Sequence, residues 1–306
     1  MTHSADPARS DSASSTSIPQ PAELAVIARA VAEEAAAQVR NRRVELFAPT
    51  GTRASDDSVT AKSTPTDPVT VADTETEELI RELLHRHRPG DEILGEEEGG
   101  SVTVPTGVRW VVDPIDGTVN FLYGIPAYAV SVAAQVDGRS VAGAVVDVAR
   151  GVTYWASSGG GAWATGLASD VQPIRLNCNP IDDVALALVA TGFAYSRTRR
   201  VEQGVFIAKL LPNVRDIRRV GAAAIDLCMV ASGAVDAHIE HGLSPWDWAA
   251  GGLIAEEAGA RVVLPPSDSR SGDGHATIAA APGIAEDFLA LLGSIGALDA
   301  MPDEAV

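Results

Sequence analysis

The chain has 306 residues with 41 acidic and 23 basic side chains, a formal charge of −18. That length gives room for one large domain or two modest ones, with core enough to fold without staples. The acidic excess disfavours nonspecific binding to nucleic acid or to an anionic membrane surface, and no apolar run reaches the ~20 residues of a membrane-spanning helix. Cys178 and Cys228 allow one disulfide at most, and Cys228 lies in an apolar helical run that makes a reduced core thiol the expectation.

Residues 1–20 are rich in Ser, Thr, Asp and Pro and lack the apolar stretch of a secretory signal; they are expected to form a disordered tail on a cytoplasmic protein. From 22 to 47 the residues Leu24, Ile27, Ala28, Val31, Ala35 and Val39 recur at helical spacing. A polar loop is expected over 48–66. A second helix follows over about 74–88, where Leu79, Ile80, Leu83 and Leu84 pack and Pro89-Gly90 ends it. From Trp110 to Thr165 the pattern turns to strands, with a hairpin signal at Asp137-Gly138 between 127–136 and 141–148, and a third strand over 151–156. Gly159-Gly160-Gly161 reads as a turn, because no Lys-Ser/Thr follows as a phosphate loop requires. The second half alternates: strands over 185–191, 216–220, 234–240, 261–264 and 277–281, and helices over 201–211, 222–232, 246–258 and 284–292. Such alternation favours α/β layers.

Four acidic clusters interrupt these elements. Trp110-Val111-Val112 ends in Asp113-Pro114-Ile115-Asp116, and Gly117-Thr118 follows at once. A strand end that fans out two carboxylates suits a hard divalent cation, and the amides behind it can meet a phosphate. Ile93-Leu94-Gly95 runs into Glu96-Glu97-Glu98, alone no more than solvated charge. Asp73 stands where the second helix begins and Asp247 where another opens, so each could be only a cap. Each cluster has an innocent explanation; four together, with His and Cys sparse beside them, read as an all-oxygen metal site. None of the six histidines stands at a recognisable metal-binding spacing.

The residues Lys62-Ser63-x-Pro65-x-Asp67, Thr70-x-x-Asp73, Gly95-Glu96-Glu97, Asp113-Pro114-Ile115-Asp116-Gly117-Thr118-x-Asn120-Phe121 and Trp246-Asp247-x-Ala249-Ala250-Gly251 resemble, in order and spacing, the inositol monophosphatases. These are magnesium-dependent, lithium-sensitive phosphatases, and the resemblance runs from about Ala22 to Leu292. The wording around Tyr123–Ser131 is similar to the bacterial, in particular actinobacterial, members. The resemblance implies the sugar-phosphatase fold, an αβαβα sandwich with the site between an N-terminal α+β half over 21–165 and a C-terminal α/β half over 166–306, and a cytoplasmic homodimer.

It further implies two to three Mg²⁺ ions. Glu96, Asp113 and the Ile115 carbonyl would hold the first, and Asp113, Asp116 and Asp247 the second; a third, weaker ion would involve Glu96 and water. Thr118, oriented by Asp73, would position the attacking water beside the ion that Glu96 holds. The Gly117 and Thr118 amides would contact the phosphate, with Asp116 beside the leaving group. Ala223 opens a helix in the segment that offers amides to the substrate, Glu240 stands where the family bonds a substrate hydroxyl, and Lys62 would help settle phosphate or solvent charge. Glu97 is expected to support rather than ligate. Carboxylates are the donors that Mg²⁺ selects, whereas zinc favours His or Cys. The activity implied is hydrolysis of a phosphate monoester, inositol 1-phosphate first, with fructose-1,6-bisphosphatase, histidinol-phosphatase and nucleotide 3′-phosphatase as alternatives on the same metal site. The partner is then a small phosphorylated polyol, with neither nucleic acid nor membrane. A binding or regulatory protein on this fold is the alternative outside enzymes. Departures near the substrate, over Thr191–Arg197, leave the substrate open.

Overall fold

The computed structural model describes residues 19–47, 59–61, 68–166 and 172–303. Most of the expected tail, most of the loop over 48–66 and Lys62 lie outside the described residues; within that loop, Val59–Ala61 is a strand. The first helix, α1 (Pro21–Leu46), opens with Pro21 in its first turn and a reciprocal Gln20–Glu23 cap, and buries Leu24, Ala28, Val31, Ala35 and Val39. A two-stranded ribbon follows, β1 (Val59–Ala61) antiparallel to β2 (Pro68–Thr70). It leads into α2 (Val71–His87). This helix starts three residues before the sequence predicts, because Thr70 and Asp73 form a capping box that includes Val71 and Ala72 in the first turn.

Seven strands make the larger sheet: β3 (Glu92–Gly95), β4 (Val108–Asp116), β5 (Ala129–Val136), β6 (Arg139–Asp147), β7 (Val152–Ser157), β8 (Gly161–Thr165) and β9 (Ile174–Arg175), in that spatial order. Only β3 and β4 run parallel. Asp137 and Gly138 both take positive φ, 51° and 75°, which is the two-residue turn that matches strand twist. A short helix, α3 (Thr118–Tyr123), leaves the end of β4.

The smaller sheet joins β10 (Leu188–Thr191), β11 (Asp216–Arg218), β12 (Ala237–His241), β13 (Arg261–Val263) and β14 (Ala276–Ala280) in the order β11-β10-β12-β14-β13. Its helices are α4 (Arg197–Leu210), α5 (Ala223–Ala231), α6 (Pro245–Glu257) and α7 (Ala285–Ser294). The predicted strand over 185–191 is shorter, since Val184–Leu186 winds into a 3₁₀ turn capped by Asp183.

Three cores separate five layers. One face of the larger sheet packs on α1 and α2 through Val31, Ile80, Trp110 and Val130. Its other face meets α5 and α6 through Val111, Val145, Leu227 and Ile254. The smaller sheet closes the far side of those helices and carries α4 and α7 on its outer face, through Val189, Phe206, Ile239 and Phe288. This is the expected αβαβα sandwich. The central layer is thin because its residues are small: a Cβ on Gly143 of β6 would lie 2.9 Å from Ala250 Cα, and one on Gly251 would lie 2.9 Å from Leu227 Cβ. Ala249-Ala250-Gly251-Gly252 thus lets α6 press onto β6 and α5 and brings its N-terminus to the end of β4. Beneath that end, Phe121 makes edge-to-face contacts with Phe47 and Tyr128 at 5.4 and 5.3 Å, each worth about 0.5–1.5 kcal/mol beyond the area buried.

Candidate active site

The site begins with an interruption of β4. Side chains alternate along a strand, so residues three apart ordinarily face opposite ways. Asp113 pairs with Ser131 and Asp116 with Ala129, so the register shifts between them. Pro114 has no N–H to give the ladder, and the Ile115 amide turns to donate to Asp113 Oδ1 at 3.0 Å. The irregularity re-aims the second carboxylate. The two Asp side chains then point into one space, and Gly117 (φ 88°) ends the strand where a Cβ would sit 3.0 Å from Ala127 O and 3.1 Å from Gly221 O.

Asp247 enters that space from α6. It is the third residue of the helix, not its cap: Ser244 is the cap, and the Ser244 amide donates to Asp247 Oδ2 at 2.7 Å. One oxygen each of Asp113, Asp116 and Asp247 lies within 4.8 Å of the others. Glu96, at the end of β3, stands within hydrogen-bonding reach of Asp113. Burial, then the charges of Glu96, Asp116 and Asp247, push Asp113 well above the usual carboxylate range. Burial pushes Asp116 up to about 7, opposed by the Ala224 and Ala223 amides and by Arg219. Asp247 is raised for the same reason, with Asp116 and Glu96 adding to burial. Buried carboxylates that raise one another's pKa lack a positive charge, and an all-oxygen donor set of this kind fits Mg²⁺.

The next layer fixes these groups. Asp73 is fully buried and, like Asp247, is the third residue of its helix rather than its cap, Thr70 taking that place. Asp73 Oδ2 accepts from the Thr70 amide and hydroxyl, and Oδ1 lies 3.0 Å from Thr118 Oγ1. The Thr118 hydroxyl also lies 3.1 Å from Ile115 O. Glu97 and Glu98 are held by their backbones: their amides donate to the fully buried Glu77 at 2.7 and 3.0 Å. Arg81 pairs with Glu77 at 2.7 Å and donates to Gly99 O. Glu77 leaves no room for a side chain on Gly95, whose Cβ would lie 2.2 Å from its Oε1. In the sequence Glu77 is one more acid in the first half of α2; its partner Arg81 four residues on was the available signal.

A cavity of about 250 Å³ opens beside the carboxylates, lined among others by Glu96, Asp116, Gly117, Arg219, Glu240 and Asp247. A larger groove, about 1150 Å³, runs along α1 and α2 past Glu75, Glu78 and Glu82 and holds no such convergence, so size does not locate the site. The Ala224 amide donates to Asp116 Oδ2 at 2.7 Å, and the start of α5 therefore braces an acidic residue as well as bordering the cavity through Ala223. Asn120 ties α3 to the loop that follows it and to the segment before α5, its Nδ2 donating to Ala127 O and Val220 O at 2.7 and 2.9 Å. Glu240 is pushed up to about 7 by burial, against the pull of Arg219. Gly192 makes space for it, since a Cβ there would lie 2.1 Å from Glu240 Oε2. Sequence reasoning passed over Asn120 and Arg219; the basic run Arg218-Arg219 was visible, but which of the two faces the cavity was not.

With this geometry in hand, a model of the inositol monophosphatase family matches residues 20–295. The chain belongs to the inositol monophosphatase family. Members are phosphoric monoester hydrolases. An inositol-1-monophosphatase of Mycobacterium leprae is 55% identical over 89% of this chain and 94% of its own length. The structure of Mycobacterium tuberculosis SuhB superposes with a TM-score of 0.76 at 48% identity, covering 92% of this chain and 99% of that one. A protein of Pasteurella multocida called Nus factor SuhB is 38% identical over 78% of this chain and 86% of its own. Among the described residues, no helix is long and apolar enough to cross a membrane.

Proposed function

We propose that the protein hydrolyses phosphate monoesters of polyols with Mg²⁺, inositol 1-phosphate first among them. The observation that carries this is the convergence of Asp113, Asp116 and Asp247 with Glu96 beside them, at the mouth of a polar cavity. Two to three ions held by Glu96, Asp113, the Ile115 carbonyl, Asp116 and Asp247 would acidify a water and offset charge on the phosphate and the leaving oxygen. The chain's own residues supply position and proton traffic. Thr118, held between Asp73 Oδ1 and Ile115 O, can accept from an attacking water and pass a proton toward Asp73. The Gly117 and Thr118 amides, at a helix start, have no acceptor within the helix and suit a phosphate oxygen. Arg219 and Glu240 face the alcohol side, one a donor and the other an acceptor for hydroxyls.

Phosphate release with Mg²⁺ over inositol 1-phosphate, fructose 1,6-bisphosphate, histidinol phosphate and a 3′-nucleotide tests this. The expected order puts inositol 1-phosphate first. Preference for histidinol phosphate would recast Glu240 as a partner for an ammonium group. A regulatory role is the second reading, favoured by the name of the Pasteurella relative. A folded chain inactive on all four substrates would favour it.

A further inference from the structure

A second group of donors stands behind the substrate cavity. On β12, residues two apart share a face: Ala237 and Ile239 pack outward with α7, and His238 and Glu240 point toward α5. Asp226, in the first turns of α5, meets them. One donor atom of each of the three lies within 4.8 Å of the others. The sequence gives no hint of this, because Asp226 belongs to a different element and His241, three residues beyond His238, falls on the other face of β12 against Phe206.

Two of these side chains are buried without a partner. Asp226 is 1% exposed and His238 is fully buried. Neither oxygen of Asp226 and neither ring nitrogen of His238 has a hydrogen-bond partner. Buried polar atoms are nearly always paired, and two unpaired side chains that turn donor atoms toward each other and toward Glu240 call for an occupant. A direct bond is not it, since His238 Nδ1 lies 3.8 Å from Asp226 Oδ2, too far for one. Zinc–nitrogen and zinc–oxygen bonds of about 2.0–2.2 Å span up to roughly 4.2 Å in line. An ion can therefore touch both atoms without backbone movement. Burial holds His238 neutral, its pKa lowered to about 3, so a ring lone pair is available at any ordinary pH.

We propose that Asp226, His238 and Glu240 form a second cation site, for a transition-metal ion of the Zn²⁺ class, in the wall of the substrate cavity. The donors set the choice of ion. Imidazole with carboxylate suits zinc and its neighbours, whereas the oxygen-only cluster around Asp113 suits Mg²⁺. Glu240 is shared between this site and the cavity, so an occupant would draw its carboxylate back from a substrate hydroxyl and lower affinity for the polyol.

The test is calorimetric titration of the full chain with Zn²⁺ while millimolar Mg²⁺ keeps the oxygen site filled. One equivalent of Zn²⁺ is expected to bind the wild type, and His238→Phe and Asp226→Asn each to lose that equivalent or bind it at least 10-fold more weakly. Crystals grown with Zn²⁺ should show an anomalous peak at the zinc edge between His238 and Glu240. Should His238→Phe fail to fold, Asp226→Asn and the anomalous map decide. Equal stoichiometry and affinity in wild type and variants, or a map without that peak, would overturn the site. Binding is read without turnover, so failure here leaves the phosphatase reading standing.

Discussion

Two clusters of donors border one cavity and differ in how they are built. Asp113, Asp116 and Asp247 come from a strand end and a helix start, each inside a run of distinctive neighbours: Pro114, Gly117 and Thr118 on one side, Pro245 and Trp246 on the other. Asp226, His238 and Glu240 come from the middle of a helix and the alternating face of a strand, where nothing local marks them. The first cluster needs special backbone, a register shift and a left-handed glycine, and special backbone leaves a trace in the sequence. The second needs only ordinary α and β geometry, and ordinary geometry leaves none. What separates them is local strain, not chemical importance.

The sharpest way to break the comparison is to remove the charge that the first cluster awaits. Turnover should vanish on exhaustive chelation and return with Mg²⁺, and Li⁺ should inhibit it. Undiminished phosphate release from protein stripped of metal would show that the carboxylates do something else. Next in size is Asp116→Asn. It keeps the shape, and the amide can still accept from Ala224, but it deletes the charge. A loss of about 10²–10³ in turnover is expected, as for deletion of one preorganised electrostatic group. Circular dichroism should show an intact fold, and near-wild-type rates in that folded variant would take Asp116 out of the mechanism.

These expectations were open to sequence reasoning, and it is instructive where that stopped. Alternating α/β layers were legible because helical and strand periodicities switch cleanly, as at Leu79–Leu84 against Trp110–Val112, while their order as an αβαβα sandwich was implied by the family resemblance alone. Boundaries slipped where caps decide them. Asp73 and Asp247 read as caps but sit one turn inside, with Thr70 and Ser244 doing the capping. That placement buries Asp73 against Thr118 and aims Asp247 at Asp113. The Arg81 spacing marked Glu77 only as half of an ion pair, because its role is to hold the amides of Glu97 and Glu98, twenty and more residues away. The histidines were dismissed on spacing, which measures only chain distance. His238 shows the cost, since twelve residues of chain separate it from Asp226 and 3.8 Å of space.

Glu240 belongs to the second cluster and also lines the substrate cavity, and a third experiment isolates its role toward the substrate. As a hydrogen-bond partner of the polyol, its charge is worth about 1.5–3 kcal/mol, so Glu240→Gln should slow use of inositol 1-phosphate by roughly 10- to 150-fold. A small aryl phosphate, which offers no hydroxyl, should be hydrolysed at nearly the original rate. Equal damage to both substrates would move Glu240 from selectivity to the metal site or the fold.

The smallest effect is on stability, and its sign is set by the direction of the shifts. Asp116 rises from 3.8 to about 7 and Glu240 from 4.5 to about 7, with Asp113 and Asp247 also raised. Between about pH 4 and pH 7 the folded metal-free chain therefore holds protons that the unfolded chain has released. Stability must fall as pH rises through that window. This is the reverse of a carboxylate held by a salt bridge, whose stabilisation is lost in acid. Mg²⁺ binds only the folded, ionised site, so saturating Mg²⁺ should flatten the slope and raise the thermal midpoint most at pH 7 and above. Asp116→Asn should also flatten part of the slope, since the amide carries no proton to lose. Thermal melts of metal-free protein from pH 4.5 to 8, with and without Mg²⁺, measure all of this. A metal-free chain that grows more stable toward pH 7 would mean that another group neutralises the cluster, and Arg219, the cation that already opposes the rise of Asp116 and Glu240, would be the first to substitute.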